Sequence, residues 1–166
     1  MRAFTLVETL VSILVFSVIV MSIFLVITIG QHSWNTADPA VELRQQIILA
    51  LITINSELSE TSSGKTNLTA DVAQSSIQFK IPYDNNSDGI ILSTEWSSLI
   101  TYSLDSSNEL VRTYGGVSSI LAQDIKSLSF TNISSNLIQV DITAQKTNNL
   151  GKVIQDTEQA IIKMRN

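Results

Sequence analysis

Twenty consecutive uncharged and mostly apolar residues, Leu10–Ile29, constrain this chain more than anything after them. At about 1.5 Å of rise per residue, a helix of that length spans about 30 Å, the hydrocarbon thickness of a bilayer. Ser12, Ser17, Ser22 and Thr28 interrupt the run. Each hydroxyl can bond back to a carbonyl of its own helix, which keeps the cost small. Just ahead of the run stands a carboxylate, Glu8. An acidic side chain at the centre of a bilayer costs roughly 2.5–3.5 kcal/mol. A plain anchor has no use for such a group, so its placement predicts a partner for Glu8.

A cleaved secretory signal is the competing reading. Its apolar core is shorter and is followed by small residues at the cut, which Gly30-Gln31-His32-Ser33 does not supply. Orientation follows from charge. Arg2 precedes the span, whereas Asp38 and Glu42 are the first charges after it. Positive flanks stay on the cytoplasmic side, so the N-terminus is expected inside and the chain from about Gln31 outside. His32 and Trp34 fall where the helix should leave the membrane, a depth that Trp favours.

Composition then removes function classes. The 166 residues leave roughly 130 outside the bilayer, enough for one compact domain. The net charge is −5 and basic residues are scattered singly, which argues against a nucleic-acid surface. With no Cys and one His, disulfides and the usual zinc sites are excluded, and Ser-His-Asp chemistry on His32 lacks support. No glycine-rich phosphate loop is present. The expectation is a protein that is not an enzyme.

Beyond the span the period is first helical. Asp38-Pro39 reads as a cap with proline in the first turn, and Ile47, Leu51, Ile54 and Leu58 recur on one helix face. Whether this helix continues the first or restarts at Asp38 is open, with Gly30 and Pro39 as the two weak points. It should end near residues 59–63, where Ser, Thr and Gly gather. From about Ser75 the period becomes two. Ile77, Phe79 and Ile81 alternate with polar residues, as do Ile100, Tyr102 and Leu104. Leu110–Thr113 follows an Asp105-Ser106-Ser107-Asn108 turn and completes a hairpin. Leu128 and Phe130 mark another strand. Ile138, Val140, Ile142 and Ala144 form the cleanest alternation, and Ala160, Ile162 and Met164 the last. Half-buried antiparallel strands need a cover, and the stripe Ile47–Leu58 is the available one. The expected fold is therefore α+β, a long N-terminal helix packed on an antiparallel sheet.

Phe4-Thr5-Leu6-Val7-Glu8 ahead of an apolar helix resembles the type IV pilin superfamily. The resemblance implies a prepilin with a cytoplasmic leader, cut by a membrane peptidase between Ala3 and Phe4 and N-methylated on Phe4. Glu8 would pair with the N-terminal amine of a neighbouring subunit during assembly. Where the family usually has Gly before the cut, this chain has Ala3. The stretch Ile77–Arg112 is similar to the larger minor pilins and pseudopilins, the PilW-like and GspJ-like group. The implied division is a leader at 1–3, a transmembrane and assembly helix at 4–30, an amphipathic outer helix at 31–62 and a β domain at 63–166. The implied place is the bacterial inner membrane, single-pass, with the outer domain periplasmic or extracellular. The implied partners are prepilin peptidase and other pilin or pseudopilin subunits of a pilus or type II secretion filament.

One further motif lies in the outer part. Asp84 to Glu95 fits D-x-[DN]-x-[DN]-G-x5-E. Oxygens of Asp84, Asn86, Asp88 and Glu95, with the Ile90 carbonyl, would suit calcium, and Gly89 allows the sharp turn. The flanks read as strands rather than the helices of an EF-hand. The plainer reading is an acidic turn whose Asp and Asn side chains bond their own backbone. If calcium does bind, a membrane-anchored, calcium-dependent adhesin or receptor domain is the alternative function.

Overall fold

In the computed structural model, residues 5–148 and 151–165 are described, apart from the side chains of 32–38. Ala3 and Phe4 lie outside the described residues. The chain falls into two compact units, Met1–Asp38 and Pro39–Asn166.

A helix, α1, covers Leu6–Glu60, and its helical assignment does not break at Gly30 or Pro39. The helix therefore does not restart at Asp38. Proline removes one backbone donor, and Pro39 nonetheless lies inside α1. In the first unit, the 26 residues Leu6–Gln31 are long and apolar enough to cross a bilayer. No residue from Leu6 to Ile29 is buried by the chain itself. The hydroxyls behave as expected: Ser12 donates to the Glu8 carbonyl, Ser17 to Leu14, Ser22 to Val18 and Thr28 to Phe24, each at 2.8 Å.

The second unit carries the β structure in two four-stranded antiparallel sheets. The strands are β1 (Ala73–Gln74), β2 (Ser76–Phe79), β3 (Ile100–Leu104), β4 (Leu110–Tyr114), β5 (Val117–Ala122), β6 (Ile125–Ser134), β7 (Leu137–Thr147) and β8 (Val153–Lys163). One sheet has the order β1-β6-β7-β8 and the other β2-β3-β4-β5. The single sheet expected from the alternation is thus two. The chain changes sheet between β5 and β6 over Gln123-Asp124, where Asp124 takes a φ of 60°. The Ile125 amide then bonds the Asn108 carbonyl at 2.8 Å and ties the second sheet to the β3–β4 turn.

Both sheets and the helix share one core. Leu43, Ile47, Ala50, Ile54 and Leu58 of α1 are buried with Ile77, Phe79, Ile100 and Tyr102 of one sheet. Phe130, Ile138, Val140, Ile142 and Ile162 of the other close the same cluster. Each fully buried Leu, Ile or Phe side chain contributes about 1.5–3 kcal/mol, so this shared apolar layer holds helix and sheets together. Polar clamps surround it. Lys146 pairs with Glu42 at 2.9 Å, Arg44 with Glu158 at 3.4 Å, and the Gln123 amide donates to Gln46 Oε1 at 2.7 Å.

Two strands escaped the reading by period. β1 has only two residues. β5, Val117-Ser118-Ser119-Ile120-Leu121-Ala122, has four exposed residues in a row and so shows no alternation. The usable signal was Gly115-Gly116, both at positive φ (58° and 82°), as a two-residue hairpin turn with both central residues left-handed requires.

Candidate functional site

Glu8 is hydrogen-bonded within its own chain. Thr5 precedes the first helical residue. Its amide and its hydroxyl both donate to Glu8 Oε2 at 3.2 Å, while the Glu8 amide donates to Thr5 Oγ1 at 3.3 Å. This reciprocal pair is a capping box, which satisfies backbone donors that the first turn of a helix leaves open. The pattern Thr-x-x-Glu is legible in the sequence as a capping-box signature. A carboxylate at a helix N-terminus is also favoured by the helix dipole.

Farther along α1, a second apolar stripe lies opposite the buried one. Val41, Ile48, Leu49 and Ile52 are 56%, 43%, 62% and 59% exposed. Their spacing puts them on one face, and the buried Leu43, Ile47, Ala50, Ile54 and Leu58 on the other. This stretch of helix is apolar on two sides, and the sheets cover only one of them. The stripe was legible in the sequence only after the core face had been fixed.

The motif at Asp84–Glu95 folds as a self-capped turn. Asp84 accepts backbone donors from Asn86 (3.2 Å) and Ser87 (2.6 Å) on Oδ1 and from Gly89 (2.8 Å) on Oδ2. The Gly89 donor above all lowers the Asp84 carboxyl below its usual range. Asp88 accepts from the Ile90 amide at 2.8 Å and from Asn86 Nδ2 at 2.9 Å. Glu95 turns its carboxylate to the Leu92 amide at 2.8 Å. Asp84, Asn86 and Asp88 are therefore brought together around one turn. Among the described residues, no three acidic or His side chains converge as a metal cluster. The oxygen donors suit a hard cation, but this arrangement already spends many of them on backbone N–H groups. Ser87 and Gly89 sit at positive φ, 59° and 81°, which the tight turn demands.

A third feature ties the helix to the sheet. Arg112 of β4 grips Glu57 of α1 with Nε at 3.0 and 3.1 Å and Nη2 at 2.7 Å, and the Tyr102 hydroxyl donates to the same carboxylate. Burial, then the hydrogen bond to Glu57 and after it the Glu57 charge, pushes the Tyr102 hydroxyl far above its ordinary range. The hydrogen bond to Glu57 likewise raises Arg112. The fork geometry suits a guanidinium–carboxylate pair, and the site fixes the helix on the sheet. Spacing in sequence gave no hint of it, because Glu57 and Arg112 are 55 residues apart.

Compared with protein-family models, with curated proteins and with solved structures, the chain gave no match.

Proposed function

We propose that this chain is a pilin-like structural subunit, a minor pilin or pseudopilin, which joins a filament or its initiating complex through α1. It acts by assembly, not by catalysis. The observation that carries the reading is the helix. Its first part can cross a bilayer, and beyond that part Val41, Ile48, Leu49 and Ile52 still leave an apolar stripe bare. An apolar stripe that continues past the lipid is expected to find protein. The Phe4–Glu8 motif, in front of an α+β body with an N-terminal apolar helix, supports the same reading. Prepilin peptidase and neighbouring subunits are then its partners, and the inner membrane its starting place.

The test is the N-terminus of protein recovered from membranes that contain an active prepilin peptidase. Mass spectrometry should find N-methylated Phe4 as the first residue. Recovery of the chain with Met1 and Arg2 still attached would count against the proposal.

A further inference from the structure

A cleft of about 380 Å³ opens beside the C-terminal end of α1, with Glu60, Arg165, Trp96, Ile91, Leu92 and Pro82 among its walls. Clefts of that size suit small ligands. Backbone pairing builds its charged rim. The Arg165 amide donates to the Thr61 carbonyl at 2.9 Å, and Ser62 and Arg165 form a parallel bridge. A carboxylate and a guanidinium are thereby carried on adjoining backbone. Yet Glu60 and Arg165 form no ion pair within 4.0 Å, and neither side chain has a hydrogen bond among the described residues. The apolar wall is equally open. Ile91 and Leu92 are 55% and 52% exposed. The Trp96 indole is held in place, since Nε1 donates to the Ser93 carbonyl at 3.0 Å and Lys65 Nζ sits 4.9 Å from the ring centroid.

The geometry points to a binding site for a small zwitterion with an apolar side chain, a free aliphatic amino acid or a dipeptide. We infer that Arg165 takes the carboxylate, Glu60 the ammonium, and Trp96, Ile91 and Leu92 the side chain. One charge of each sign, open beside an apolar wall, complements such a ligand. A phosphate or other polyanion would meet Glu60 as a like charge. An uncharged apolar ligand would leave both charges unused. This inference does not depend on the assembly reading.

The experiment uses the full chain in detergent with Trp34→Phe, so that Trp96 is the only indole. Free leucine, leucyl-leucine, N-acetyl-leucine and leucinamide are titrated while Trp96 emission is followed. Leucine or the dipeptide should give a saturable change, and whichever binds more tightly identifies the source. N-acetyl-leucine lacks the ammonium and leucinamide lacks the carboxylate, so each should bind at least tenfold more weakly. Arg165→Gln should weaken leucine at least tenfold without weakening leucinamide further. Glu60→Gln should do the same for leucine relative to N-acetyl-leucine. No saturable change with any of the four, or equal binding of all four, overturns the proposal. So does unchanged leucine affinity in both variants.

Discussion

At the scale of single residues, Glu8 carries two roles that one substitution can separate. Glutamine serves in a capping box as glutamate does, so Glu8→Gln keeps the bonds with Thr5 and removes the charge. If the charge pairs with a neighbouring subunit's amine, Glu8→Gln should cut co-purification with partner subunits at least tenfold while the protein still inserts in the membrane. Thr5→Ala breaks the cap, at about 1 kcal/mol, and keeps the charge, so it should leave co-purification largely intact. The reverse order of severity would make Glu8 only a cap. Tyr102 allows a second test. Its hydroxyl titrates far higher folded than unfolded, so above about pH 10, the ordinary tyrosine value, the unfolded chain releases a proton that the folded chain keeps. Stability should therefore fall as pH rises through 10 and beyond. Tyr102→Phe should flatten that alkaline decline in thermal melts, and an unchanged slope would remove Tyr102 as its source.

At the scale of elements, the second half of α1 presents two apolar faces with opposite duties. Ile54 is fully buried. Ile54→Asp puts a charge into the shared core and should cost about 4 kcal/mol or more, enough to unfold a domain of ordinary stability. Leu49→Glu with Ile52→Glu alters only exposed positions. That pair should stay within about 1 kcal/mol in a denaturant melt and still abolish co-purification with partner subunits. Retained assembly in the double variant would show that the stripe is not an interface. The Asp84–Glu95 turn poses a separate question. Its order comes from hydrogen bonds within the loop, so chelator should leave the protein's melting temperature and the loop's resistance to protease unchanged. Asp84→Ala should speed cleavage between residues 85 and 92. A melting temperature that climbs through a millimolar calcium titration would instead assign a cation to the loop, as mass action requires of any ligand that binds the folded form.

At the scale of the whole molecule, the boundary between the two compact units at Asp38–Pro39 yields a prediction of its own. Among the described residues, the core cluster begins at Leu43. A fragment starting at Pro39 should therefore fold without detergent, with the circular dichroism of mixed helix and strand and a cooperative melt. It retains the bare stripe, so it should self-associate as concentration rises, and Leu49→Glu with Ile52→Glu should keep it monomeric in analytical centrifugation. An unfolded fragment would show that the outer unit depends on residues before Pro39.

What the sequence determined by itself is what local periodicity and solvent preference determine. Leu10–Ile29 specified a helix of lipid-crossing length, because twenty uncharged residues at about 1.5 Å each span about 30 Å. Ile47–Leu58 and the alternations at Ile77, Ile100, Phe130 and Ile138 specified a helix face and the strands it covers, since periods of 3.6 and 2 survive in the residue order. The tertiary structure decided the rest. The division into two sheets turns on a backbone reversal at Asp124, and an aspartate is only weak evidence of that conformation. Along Val117–Ile120, β5 has no buried residue to impose alternation. The grip of Arg112 and Tyr102 on Glu57, and the approach of Arg165 to Thr61, join residues far apart in the chain. Such contacts depend on how elements pack, and the order of residues within any one element carries no trace of them.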